Sequence, residues 1–242
     1  MIARGKILFF IFVGLSVVMS MRRPPRPVPP KANFQLSYPE KSVDNYVSFN
    51  LSSSAPALTE FTLCVWIKVA DQSDDGTLFS YSLPDEDNEL LLTDYSRLKI
   101  LIGGRKVTIE LAANDDQWHD ICVTWENIAG SWNLYMDGEL FDSGDDFQIG
   151  HVINSGGIVV LGQDQDEYGG GFDQEQSFFG KMYGANVWSS VRSSEEISEM
   201  SKSCFHPEGD YLKWSQVKAA QYHGNVRMEP PTCGPRNKRF HP

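Results

Sequence analysis

Residues 163–176 read Q-D-Q-D-E-Y-G-G-G-F-D-Q-E-Q, and no other stretch restricts so narrowly what this chain can fold into. They hold five carboxylates (Asp164, Asp166, Glu167, Asp173, Glu175), three consecutive glycines and no Lys or Arg. Like charges at this density repel one another, so the segment is expected to keep a folded shape only around a cation. Oxygen-only side chains on a Gly-hinged loop suit a hard ion of variable coordination, which favours Ca²⁺ over Mg²⁺ or Zn²⁺. The bland alternative is a solvated acidic face, the usual fate of a charge run. Gln, Gly and aromatic residues interrupt this one and set it apart from a low-complexity tail.

Arg4 and Lys6, the apolar stretch 7–19 and the triplet Val18-Met19-Ser20 give residues 1–20 the pattern of a secretory signal peptide. That stretch is short for a bilayer span and no later one is long enough. The chain is therefore expected to be secreted, extracellular and not inserted in a membrane, in an oxidising setting where its four cysteines can pair. Residues 21–31 (M-R-R-P-P-R-P-V-P-P-K) form a Pro-rich basic leader, expected to be extended. Residues 236–242 form a basic tail with a processing pair at Lys238-Arg239. Nine of the 21 basic residues lie in these ends, which leaves 12 against 32 acidic residues across 32–235, a net charge of −20. A domain so acidic is a poor match for nucleic acid, whose affinity comes from neutralised phosphates. A bound cation would relieve its self-repulsion.

Between the two ends the pattern is of short runs rich in Val, Ile, Leu and aromatic residues: 61–69, 77–83, 89–93, 98–102, 107–111, 120–125, 132–136 and 158–161. Turn residues separate them, and Asp137-Gly138 is a two-residue hairpin signal ahead of a further run at 139–141. One segment reads as helix, where Ser193 and Glu196 form a capping box ahead of Ile197 and Met200. Many strands with one short helix predict an all-β, two-sheet antiparallel sandwich or jelly roll, with a single domain over 32–235. The four cysteines allow three pairings. A Cys64–Cys122 bridge would tie two strands across one sheet, and closing that loop is worth ~4 kcal/mol in the chain-entropy view. Cys204 and Cys233 would pin the C-terminal segment. Asn50-Leu51-Ser52 is a glycosylation sequon.

Taken together these residues resemble a pentraxin, the family of C-reactive protein and serum amyloid P component, a laminin-G/concanavalin-like jelly roll. The resemblance rests on Phe61-Thr62-Leu63-Cys64, on Leu78-Phe79-Ser80-Tyr81 followed by Asp87-Asn88-Glu89-Leu90, and on Cys122-Val123-Thr124-Trp125. The long loop adds Gly162, Gln163, Gln165, Asp166, Gly169, Gly170, Gln176 and Ser177, and residues 180–188 with Glu195-Glu196-Ile197 are also similar. It implies two adjacent Ca²⁺ ions per subunit. Asp87, Asn88, Asp164, the backbone carbonyl of Gln165 and Asp166 would hold the first. Asp164, Asp166, Asp173 and Gln176 would hold the second, while Glu167 and Glu175 are left to solvent. Asp164 and Asp173 stand where the best-known members have Glu, one methylene longer. A family His is replaced by Asp120, with His119 shifted by one, which reads as structural.

The positions that match the family's ligand pocket are Thr93 and Lys106. Thr offers little apolar wall and Lys repels a quaternary ammonium, which disfavours phosphocholine. The resemblance implies a non-enzymatic, calcium-dependent recognition protein of innate-immune type for anionic or carbohydrate groups on cell or microbial surfaces. It also implies a cyclic homo-oligomer, with a pentamer favoured. The alternative, a glycoside hydrolase on a similar fold, needs two carboxylates ~5–10 Å apart across a cleft. No alternating acidic strand of that kind is present. An EF-hand reading of 164–175 fails because Tyr168 occupies a ligand position and β-like runs flank the loop.

Overall fold

The computed structural model describes residues 33–69, 75–205 and 207–233. The signal peptide, the Pro-rich leader and the basic tail expected from the sequence lie outside the described residues. In chain order the strands begin β1 (Gln35–Tyr38), β2 (Val47–Asn50), β3 (Glu60–Lys68), β4 (Thr77–Leu83), β5 (Glu86–Thr93), β6 (Lys99–Ile102) and β7 (Arg105–Thr108). They continue with β8 (Trp118–Glu126), β9 (Trp132–Met136), β10 (Glu139–Gly144), β11 (Ile158–Leu161), β12 (Gly180–Trp188), β13 (Gln221–Tyr222) and β14 (Arg227–Glu229). Two short helices, α1 (Ser194–Met200) and α2 (Trp214–Val217), lie between β12 and β13.

The strands form two antiparallel seven-stranded sheets. The first runs β10-β9-β8-β3-β12-β1-β14 and the second β13-β2-β11-β4-β5-β6-β7. Their facing surfaces share one core, to which alternate residues contribute: Phe61, Leu63, Val65 and Ile67 from β3, Phe79, Tyr81 and Leu83 from β4. The two outward faces differ in chemistry. On the first sheet, Cys64, Cys122, Tyr135 and Trp188 pack under Ile197 of α1, and Trp66 and Tyr183 pack with Cys204 and Cys233. Burial on both faces leaves residues 61–67 of β3 and 119–125 of β8 buried without a break. On the second sheet the outward residues of β4 are Ser80 and Ser82, fully buried although polar. Something polar must cover them, and the acidic loop does.

Both disulfides form. Cys64 and Cys122 are direct cross-strand partners on β3 and β8, and Cys204–Cys233 holds the C-terminal segment against the first sheet. The expected capping box is present at α1, with Ser193 Oγ accepting from Glu196 N–H and Glu196 accepting from Ser193 N–H. One short helix was expected and two are found. The second, α2, is a single turn without a side-chain N-cap, held instead by Trp214. Its indole donates to the Phe34 carbonyl and its backbone N–H to Asn186 Oδ1.

The Asp137-Gly138 hairpin also anchors His119, which is buried. His119 Nδ1 lies 2.9 Å from Asp137 Oδ2 and Nε2 lies 2.9 Å from Asp115 Oδ1. Burial alone would lower its pKa, but hydrogen bonds and charge from the two aspartates outweigh burial and raise it above the ordinary value. A raised pKa means that this contribution to stability is complete below the unfolded value of about 6.5 and is lost as pH rises through the folded one. Wild-type protein should therefore lose more denaturant resistance than His119→Asn does as pH is raised above about 6.5. Equal losses in the two proteins, measured by urea midpoints, would remove His119 as the source.

Candidate metal centre

The acidic loop is held down chiefly by neutral groups. Gln165 is fully buried and makes four hydrogen bonds. Its Oε1 accepts from Ser82 Oγ (2.9 Å) and Gly169 N–H (3.1 Å), and its Nε2 donates to Ser80 Oγ (3.0 Å) and the Ile158 carbonyl (3.3 Å). Gln163 Nε2 donates to the carbonyls of Ser42 (2.6 Å) and Asn45 (3.2 Å). Gly162 has φ +96°, and a Cβ there would sit 2.4 Å from the Tyr38 ring, so the chain can turn into the loop at this point only with glycine. Further along, Phe172 packs on Tyr46, which stacks on His223, and Lys41 Nζ donates to the Glu175 carbonyl. Cation-dependence of the loop's shape, expected from its charge, is thus only part of the account.

The opposing corner is equally fixed. Asp87 and Asn88 open β5, with Asn88 Nδ2 donating to Asp87 Oδ1 (2.9 Å) and Gly104 N–H to the Asn88 carbonyl. Just after them the buried Glu89 accepts from Asn154 N–H and lies 3.2 Å from His151 Nε2, tying the strand to the 151–154 loop.

Between loop and corner the negative charge is uncompensated. Asp164 is buried and its carboxyl is pushed up to about 7, first by burial, then by Asp166 and Asp87; its backbone hydrogen bond and Lys99 pull the other way. Asp166 is raised as well, by burial and by Asp87 and Asp173. Sequence reasoning placed Asp87, Asn88, Asp164, Gln165, Asp166, Asp173 and Gln176 together, and the fold brings these four aspartates within electrostatic reach of one another. They are not gathered about a point. Among the described residues no three His, Cys, Asp or Glu side chains converge enough to hold an ion.

The donor chemistry nevertheless fits a hard cation. Asp164 Oδ1 and Gln176 Oε1 are buried with no hydrogen-bond partner. Asp164 Oδ2 accepts a 3.3 Å bond from Gln176 Nε2. Buried oxygens are normally paired, so two orphaned acceptors on neighbouring side chains lack a donor or a positive ion.

Of the expected pocket residues, Thr93 is buried with its Oγ1 2.9 Å from Thr77 Oγ1, while Lys106 is exposed on β7. They do not share a rung: Thr93 pairs with Lys99 and Lys106 with Leu101. Lys99 was not anticipated. Its Nζ lies 3.0 Å from Asp94 Oδ2, and it is the cation felt at Asp164. Only the outward position of Lys99 within K-I-L-I could have drawn attention to it.

Replacing Gln165 with Leu strips partners from two hydroxyls and a backbone N–H in a buried setting. We expect it to cost about 1–3 kcal/mol per group left unpaired and to speed cleavage between residues 164 and 169 by a glutamate-specific protease. Unchanged cleavage and unchanged urea midpoint would show that the clamp holds nothing.

Comparison with known proteins agrees with this architecture. The Pentaxin family profile matches residues 35–230. Neuronal pentraxin-2 of Cavia porcellus is 32% identical over 83% of the chain, and human neuronal pentraxin-1 is 33% identical over 84%. The chain spans about half the length of these relatives, 47% and 48% respectively. Among solved structures, the native heptameric SAP-like pentraxin from Limulus polyphemus superposes with a TM-score of 0.70 at 22% identity, covering 83% of this chain and 96% of that one. The chain belongs to the pentaxin (pentraxin) family, whose members are non-enzymatic binding proteins.

Proposed function

We propose that this chain is a secreted, calcium-dependent recognition protein that binds anionic or carbohydrate head groups and performs no chemistry on them. The observation that carries the reading is the buried, partnerless pair of oxygens on Asp164 and Gln176, set among Asp87, Asp166 and Asp173. Asp87, Asn88, Asp164, the Gln165 carbonyl and Asp166 would hold one Ca²⁺; Asp164, Asp166, Asp173 and Gln176 would hold the second. Bound calcium supplies positive charge and free coordination positions that oxygen-rich ligands can fill. The protein's own part is to hold the acidic loop in place through Gln165 and Gln163 and to keep the Asp87–Asn88 corner fixed through Glu89. Lys106, exposed on β7, adds a positive charge that favours an anionic group over a quaternary ammonium. The two disulfides fit an oxidising, extracellular setting.

Calcium should raise the melting temperature, because a ligand at a hundred times its Kd stabilises the folded state by ~2.7 kcal/mol. Asp164→Asn sharpens the test. The raised carboxyl favours the fold below the usual carboxylate range, and that advantage is gone once pH passes about 7. Calcium-free Asp164→Asn at neutral pH should therefore be at least as stable as wild type, yet gain nothing from calcium. Full calcium stabilisation of the variant would refute the ligand assignment. So would retention of wild type on phosphorylated or acidic-sugar resin that EDTA leaves untouched.

We also infer a cyclic homo-oligomer, with a pentamer favoured by the family resemblance, although the Limulus relative is described as heptameric. The edges of the first sheet support it. Edge strand β10 exposes Leu140 (54%) and Phe141 (48%) between Glu139 and Asp142. The opposite edge, β14, exposes Met228 (41%) beside Arg227. Apolar and charged groups of complementary kind at the two edges suit head-to-tail contact, which closes into a ring when the rotation permits. Leu140→Lys with Phe141→Lys should reduce the particle to a monomer by light scattering; a multimer of unchanged mass would exclude this edge.

A further inference from the structure

We propose that Asn50 carries an N-linked oligosaccharide and that this oligosaccharide stands beside the acidic loop and restricts what can approach it. Asn50 opens the sequon Asn50-Leu51-Ser52 and ends β2 with its side chain exposed; Ser52, whose hydroxyl completes the sequon, is exposed too. Attachment joins Asn50 Nδ2 to the anomeric carbon of a polyprenyl-diphosphate-linked oligosaccharide. The bond from that carbon to the phosphate oxygen breaks, the lipid diphosphate leaves, and the amide gives up one proton.

The position of Asn50 in the sheet gives the glycan its consequence. Along β2, Val47 and Phe49 contribute to the core, so Ser48 and Asn50 face outward. On that outward face Asn50 pairs with Ile158, and Ile158 pairs with Ser82. These two neighbours are the floor of the acidic loop. Ser82 donates to Gln165, and Ile158 Cδ1 lies 3.1 Å from where a Cβ on Gly169 would stand. One strand spacing, about 4.8 Å, separates Asn50 from that floor, so a sugar rooted there rises next to residues 167–170. The strand order β13-β2-β11-β4-β5-β6-β7 puts Thr93 and the exposed Lys106 on the flank away from Asn50. This consequence rests on the reading of the loop as a metal and ligand site: compact head groups enter from the β5–β7 side, whereas broad surfaces meet the glycan first.

The test uses full-length protein secreted from eukaryotic cells, compared with its peptide-N-glycosidase-treated form and with Asn50→Gln. Mass spectrometry should show a loss on treatment that Asn50→Gln does not show; no loss overturns the attachment. A glutamate-specific protease in EDTA should cut after Glu167 several-fold faster in both sugar-free forms. Equal rates overturn the placement of the glycan over the loop. Failure of the metal reading registers separately, as cleavage that added calcium slows in none of the three proteins.

Discussion

From the middle of the acidic loop, the amide of Gln165 reaches down to the hydroxyls of Ser80 and Ser82, and the shape of the proposed binding face follows from that contact. A sheet needs only one apolar face to join a core. The outward face of β4 carries serines, which exclude a greasy cover and admit a hydrogen-bonding one. Gln165 satisfies both hydroxyls, a loop N–H and a strand carbonyl at once, and leaves its own amide with no unmet bond of consequence. Because the clamp is neutral, it works without reference to the charges on either side. Asp164 and Asp166 flank it, and their positions are set by a residue that ionic conditions do not perturb.

This arrangement separates two problems that the carboxylate count alone merges. Five acids in fourteen residues suggest a loop that collapses only around a cation. The fold instead anchors the loop through Gln163, Gln165, Phe172 and Lys41, and lets the repulsion accumulate at Asp164, the carboxylate that is buried. Pre-organisation of this kind reduces the ordering cost that binding must overcome. The remaining step is local, a convergence of Asp87, Asp164, Asp166 and Asp173 that is absent among the described residues. Lys99 moderates the tension: held by Asp94, it sits near enough to oppose the charge at Asp164 and too engaged to neutralise it.

Much of the sheet structure was legible in the sequence because several strands keep a strong local signal. β4, β9 and β11 run where the apolar runs placed them, the Asp-Gly hairpin follows β9, and Ser193 caps α1. What escaped notice has weak or contradictory local chemistry. β12 carries Gly180 and Gly184 at positive φ, with a register shift between Tyr183 and Asn186, so its alternation is broken just where it pairs with β3. β1, β2, β13 and β14 are too short to show a period and are defined by their partners. The helix α2 is set by Trp214 meeting Phe34 and Asn186, contacts between residues far apart in the chain. At the site, ligand candidates could be named because oxygen donors are conspicuous. The glutamine clamp and Lys99 could not, since a Gln or a Lys in a strand context announces no role until its neighbours are known.

The two sheets divide the work between them. The first sheet has its outward face packed under α1 and the C-terminal segment, while its edges, β10 and β14, carry exposed apolar residues. The second sheet has an outward face on which Ser80 and Ser82 lie among Leu91, Ile158 and Val160 and hold the acidic loop, with Asn50 at one side and β7 at the other. Assembly through the edges of the first sheet would leave the face of the second unobstructed and point every copy of it the same way around a ring. Weak single-site binding then becomes strong attachment to a surface that presents many head groups, without any new contact at the site itself. In that geometry a modest affinity per site would suffice, since avidity would compensate for it. A glycan at Asn50 would act on the same term, limiting how closely a broad surface can meet several sites together.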